Sequence, residues 1–162
     1  MSDIYVADKI YQRRTINPGY VPEQPFAKTL YEYWNMKRGQ RAFPAWRDID
    51  LLDLWQIASC LIVKDVIDNG ADFLNRYWGT QIAMRAGFDA SGQRHSSIYK
   101  NQPLGPQMDT YREVVLAKVP NAVYRSSSFI ANREFITYHS LNLPLGVTDE
   151  KVDHLITVVD YD

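Results

Sequence analysis

The chain has 162 residues, 46% hydrophobic and 23% charged, enough for one globular domain that folds without a disulfide or metal staple. Eighteen Lys and Arg against nineteen Asp and Glu leave a formal charge of −1, which excludes the broad basic surface that grips nucleic acid. The single cysteine, Cys60, fits a reducing cytoplasm, and no apolar run nears the ~20 residues of a membrane helix or the core of a signal peptide.

Residues 1–25 read as a flexible arm, because Pro18, Gly19, Pro22 and Pro25 break helices and Tyr5, Tyr11 and Tyr20 are scattered among polar neighbours. Tyrosines of this kind also suit docking on a neighbouring subunit. The domain proper is expected over 26–162. Its first element is a helix over 26–38, where Phe26, Leu30, Tyr33 and Trp34 form one apolar stripe at the 3.6-residue period. Lys37 and Arg38 suit its C-terminal end, and Gly39 its termination. A stripe so aromatic should lie on the domain's own sheet or on a second copy of itself.

After a charged connection through Pro44, Asp48 or Asp50 can cap a short helix over 51–57, with Leu51, Leu54 and Trp55 sharing a face. The period then changes to two. Residues 60–67 and 72–78 read as strands around Asn69-Gly70, a hairpin signal because both turn residues need positive φ. Thr80 is a fitting N-cap for a helix closed by Gly87, and 88–101 reads as loops and short helical turns. A longer helix over 105–118 carries Met108, Tyr111, Val115 and Val119 on one face and stops at Pro120. Strands over 122–131 and 134–145 meet at Asn132-Arg133, and a last strand spans 152–161.

Several local motifs follow this order: Leu30-Tyr31-Glu32-Tyr33-Trp34 with Arg41, Pro44 leading to Asp48-Ile49-Asp50, and Arg76-Tyr77-Trp78-Gly79-Thr80. The Gly87-to-Gly92 turn and Leu143-Pro144-Leu145 complete them. Together they make the chain resemble a bacterial PAS-like family that begins with an amphipathic helix before the PAS core. Trp46 stands where that family commonly has arginine, and Leu51 where it commonly has proline. The resemblance implies an α+β fold: a five-stranded antiparallel sheet of order 2-1-5-4-3, helices on one face, and an extra N-terminal helix. It also implies a stand-alone sensory or interaction module rather than an enzyme. Such a module binds a small organic ligand between sheet and helices or simply dimerises, and signals in trans to a partner such as a histidine kinase. Phe26, Leu30, Tyr33 and Trp34 are then the candidate homodimer helix.

Cofactor chemistry finds little footing. A flavin photoadduct needs a cysteine at the start of a central helix, whereas Cys60 falls on a core strand. A haem sensor needs an axial histidine, and His95, the nearest candidate, lies between Arg94 and Ser96 in what reads as a solvated loop. No metal-ligand spacing, phosphate loop or nucleophile elbow is present, and the acidic residues of 149–162 read as a solvated face. A pocket remains. Alternation puts Phe135, Thr137, His139, Leu141, Leu143 and Leu145 on one face, making Thr137 and His139 polar groups at helix-covered positions. Arg125 and Ser127 share a parity with Val123 and Phe129 on the preceding strand. The candidate ligand pocket is therefore Arg125, Ser127, Thr137 and His139, with Arg125 and His139 as anchors if the ligand is acidic. The readings left open are a ligand-free interaction module and, less favoured, a small isomerase- or hydrolase-like enzyme or a haem sensor.

Overall fold

A computed structural model describes residues 12–15, 21–98, 106–128, 133 and 135–162. Strands β1 (Gln12–Thr15), β2 (Leu61–Ile67), β3 (Asp72–Trp78), β4 (Asn121–Ser127), β5 (Thr137–Leu145) and β6 (His154–Tyr161) form one antiparallel sheet of order β1-β4-β5-β6-β2-β3. Numbered from β2, the last five strands have the order 2-1-5-4-3 expected from the sequence. The sixth was not foreseen. Gln12–Thr15 lies in the stretch read as an arm, and its backbone pairs with Asn121–Tyr124 along the free edge of β4. The rest of that arm up to residue 20 lies outside the described residues.

Helix α1 (Pro25–Arg38) starts on a proline, whose missing N–H costs nothing in the first turn, and ends at Gly39, whose φ is 60°. Its stripe is spent on its own chain. Leu30 and Trp34 are buried, and the Trp34 indole Nε1 donates to the Pro144 carbonyl at 2.9 Å. The Tyr33 hydroxyl donates to Asp53 at 2.9 Å and accepts from the Asp50 N–H at 3.0 Å. Phe26 packs half-buried on the same core. Leu30, Tyr33 and Trp34 are thus buried within their own chain, and Phe26 keeps part of its surface exposed. Of the two homes the stripe could have had, it takes the domain's own sheet.

Strand pairing assigns the faces. His139, Leu141 and Leu143 pair with Asp160, Val158 and Ile156, and Leu61 and Val63 continue that row on β2. This face lies under α1. The other carries Tyr138, Ser140 and Asn142 on β5, Thr157, Val159 and Tyr161 on β6, and Ile62 and Lys64 on β2. Helices α2 (Thr80–Ala86), α3 (His95–Ile98) and α4 (Pro106–Ala117) cover it.

Local chemistry explains most departures from expectation. The stretch over 51–57 is not an α-helix: a 3₁₀ turn over Leu51–Leu54, capped by the Asp50 carboxylate, leads into a second at Ala58–Cys60. At three residues per turn, Leu51, Leu54 and Ile57 share the inner side and Trp55 is left 72% exposed. Gly79 rather than Thr80 takes the N-cap of α2, and a Cβ there would collide with the Ser59 carbonyl. Asp68, Asn69 and Gly70 all have positive φ in the β2–β3 connection, as the Asn-Gly signal requires. The β4–β5 hairpin forms, but both strands stop short of the expected tip, and residues 129–132 and 134 lie outside the described residues. Asp160 contradicts the solvated acidic face. It is 5% exposed, and its carboxylate accepts from the Phe26 and Ala27 N–H groups at 2.9 and 3.0 Å, holding the start of α1 onto β6. Trp46, at the position where arginine was expected, stacks on His154, while Arg41 and Asp48 still pair at 2.9 Å.

Candidate functional site

Between the α2–α4 face of the sheet and those helices lies a cavity of about 120 Å³. Its size is near that of the ~150 Å³ space that accepts benzene in an engineered protein core. Trp78, Phe88, Ile82 and Ile98 supply an apolar wall, and Trp78 stacks on Phe88 with centroids 5.4 Å apart. Ile62 and Val159 add apolar surface from the sheet, and the polar lining includes Tyr138, Ser140 and Thr157 beside them.

The buried end is built around Lys64 and Asn75. Lys64 alternates with Ile62 on β2, so the register that buries one buries the other; Lys64 is 2% exposed. A bulge between Val63 and Lys64 sets Lys64 opposite Asn75 on β3. Asn75 is fully buried, and its backbone is tied on both sides: its N–H donates to the Gln93 carbonyl at 3.0 Å and its carbonyl accepts from Gly92 at 2.7 Å. The Gly87–Gly92 turn motif thus fastens the chain leading into α3 along the outer edge of β3. The Asp72 carboxylate accepts from the Ser96 N–H and hydroxyl, fixing α3 and bringing His95 to the cavity.

At this end Lys64 Nζ donates to Asn75 Oδ1 at 2.5 Å and sits 4.7 Å from the centre of the Tyr111 ring. Burial pulls the Lys64 ammonium down to about 7, opposed only by the nearby Asp72. His95 is 3% exposed and meets Tyr111 edge-on; burial, then Lys64, holds its imidazole well below its ordinary value, so it is neutral at pH 7. The solvated-loop reading of His95 is corrected by this packing. Further along, the Arg85 guanidinium lies 4.3 Å from the centre of the Tyr161 ring, and burial raises the phenols of Tyr138 and Tyr161. Among the described lining residues there is no Asp or Glu.

Two of the four pocket residues singled out from the sequence, Thr137 and His139, fall elsewhere. Thr137 and His139 belong to the α1 face; the Thr137 hydroxyl donates to Asp162 at 2.7 Å and His139 Nε2 is 3.2 Å from the same carboxylate. His139 lies in a shallow groove with Ala27 and Tyr124, separated from the cavity by the sheet. The even-numbered residues Tyr138 and Ser140 line the cavity instead. Both faces of β5 are covered by helices, so alternation separated two faces without naming the one that holds the space. The side chains of Arg125 and Ser127, and Phe129 entirely, lie outside the description. Lys64 and Asn75 were missed, although each is a polar residue two positions from a buried apolar one on a core strand, Ile62 and Phe73 respectively.

For cofactors, a space of this size takes a molecule of one ring rather than a macrocycle. Cys60 belongs to the main core, does not line the cavity, and burial raises its thiol. Among the described residues no cluster of three His, Cys, Asp or Glu could hold a metal, and no helix is long and apolar enough to cross a membrane.

A family model for the PAS domain matches residues 23–159, from the turn before α1 into the last strand, β6. The chain belongs to the PAS domain family. No curated protein matched it in comparison. The family is one of sensory and interaction modules, typically non-catalytic.

Proposed function

We propose that this PAS domain is a sensor of a small organic molecule, held in the cavity between the sheet and α2–α4, and that it passes its state to a partner protein. The cavity carries the reading: a ring-sized space with an apolar wall and several polar side chains aimed inward. Small-molecule sites combine apolar lining with a few placed polar groups in this way, whereas a domain that served only as an interaction surface would gain stability by packing the space. Filling it changes contacts to helices that form the outer surface of the domain, so occupancy can be read from outside.

Native mass spectrometry of freshly purified protein tests this. A retained ligand appears as added mass that is lost on denaturation, and a Ser140→Trp variant, which projects a bulky ring into the space, should be purified without it. Wild-type protein carrying no added mass, and showing no thermal shift against a library of small acids, amides and aromatics, would leave the ligand-free interaction module as the better reading.

A further inference from the structure

The buried amides of this domain show what a satisfied polar core looks like here. On the α2–α4 face the Thr157 hydroxyl donates to Asn142 Oδ1 at 2.6 Å, and Asn142 Nδ2 to Asn121 Oδ1 at 3.0 Å. Asn121 Nδ2 then donates to the Thr110 carbonyl at 2.9 Å. The chain of bonds runs from β6 through β5 and β4 into α4 with every amide nitrogen in it paired. Buried amides are normally paired in this way.

Asn75 breaks the rule. Lys64 occupies its Oδ1, which turns Nδ2 away from the lysine, and Nδ2 is buried without a hydrogen-bond partner. Lys64 itself is buried with one amide oxygen and one aromatic face for company, and among the described residues no carboxylate forms an ion pair with it. The nearest acid in its field, Asp72, already accepts from Phe73 and Ser96. Two adjacent donors, one of them ionisable, therefore face a cavity whose described lining offers no negative charge. A buried ammonium and an orphaned N–H are both costly unless something supplies acceptors.

Resting on the sensor reading above, we infer that the ligand is a small carboxylic acid with a single ring or short chain. Its carboxylate lies between Lys64 Nζ and Asn75 Nδ2, and its body lies against Trp78, Phe88, Ile82 and Ile98. One carboxylate supplies both missing acceptors and the missing charge at once. The apolar wall accounts for a body of benzene size, and the half-buried Arg85 guanidinium adds a second positive group to the same space.

Calorimetric titration with two isosteric pairs decides it: benzoate against benzamide, and hexanoate against hexanamide. Wild-type protein should bind the acid of at least one pair about tenfold or more tighter than its amide, the value of a hydrogen bond to a charged group. Lys64→Met should bring acid and amide to parity. Asn75→Asp, which places a carboxylate of the protein's own beside Lys64 and should fold readily, should reject the acid while still admitting the amide. If acid and amide bind equally to the wild type, or if Asn75→Asp keeps the acid preference, the carboxylate assignment is overturned and the cavity remains a ligand site of another kind. If neither member of either pair binds, the ring- or short-chain acid is overturned, while the sensor reading stands or falls on the mass-spectrometric test above.

Discussion

The two faces of the sheet are built from the same strands by the same alternation, yet they end in opposite conditions. Under α1, Leu141, Leu143, Ile156 and Val158 meet Leu30 and Trp34, all essentially inaccessible, and the polar groups that stray there are satisfied. Trp34 finds a carbonyl, and Asp160 finds the N-terminal N–H groups of the helix it anchors. Under α2–α4 the strands present hydroxyls, amides and an ammonium, and the helices leave a space over them. One face holds the domain together and the other gives up packing to keep a cavity. Stability should respond accordingly, strongly to loss of apolar bulk on the first face and with the opposite sign to loss of charge on the second.

The largest effect should come from breaking the close-packed face. Trp34→Ala removes a buried indole and its hydrogen bond to Pro144 together, and urea unfolding should show a loss of about 3–5 kcal/mol. A loss below about 1 kcal/mol would mean that α1 is only loosely attached, and would reopen the helix as a surface for a second copy.

On the cavity face Lys64→Met should stabilise the ligand-free protein at pH 7, by about 1–3 kcal/mol, because relief of the buried charge exceeds the loss of Asn75's only side-chain partner. The pH dependence follows from the same group. An unfolded lysine keeps its proton up to about 10.5, while Lys64 in the fold releases it near 7. Between those values the unfolded chain holds more protons, so this residue makes wild-type stability rise with pH; below 7 both states are charged and its cost is constant. Urea midpoints at pH 7 and 9 should therefore rise in the wild type and lose that increment in Lys64→Met. Equal slopes in the two proteins would show that Lys64 carries no burial penalty.

These contrasts also explain which parts of the molecule the sequence discloses. Elements driven by burial on one side were legible: the stripe of α1 at period 3.6, the hairpin strands around Asn69-Gly70, and the order that places the PAS sheet. The strand Gln12–Thr15 was not, because its Gln-Arg-Arg-Thr sequence carries no alternation and its attachment is made by backbone bonds to an edge. The site was half legible. Its chemistry lies in ordinary strand residues, and the burial of Leu141 through Leu145 without a break hides which side of β5 faces the space. Alternation with Leu141 and Leu143 singles out Thr137 and His139, whereas Lys64 stands between Val63 and Asp65 and carries no such row of leucines.

A second tryptophan sharpens the comparison at its small end. Trp55 lies a short way along the chain from Trp34 and is as large, and α-helical spacing from Leu51 would have buried it too. The 3₁₀ geometry turns it outward to 72% exposure, and with Leu52 at 79% it forms a bare apolar spot rather than part of the core. Trp55→Ser should then change the urea midpoint by no more than about 0.5 kcal/mol equivalent, as surface replacements usually do. A shift as large as that of Trp34→Ala would require Trp55 to be covered in solution. If that shift also grew with protein concentration, the cover would be another copy of the chain, and the dimer surface would be this 3₁₀ turn instead of α1.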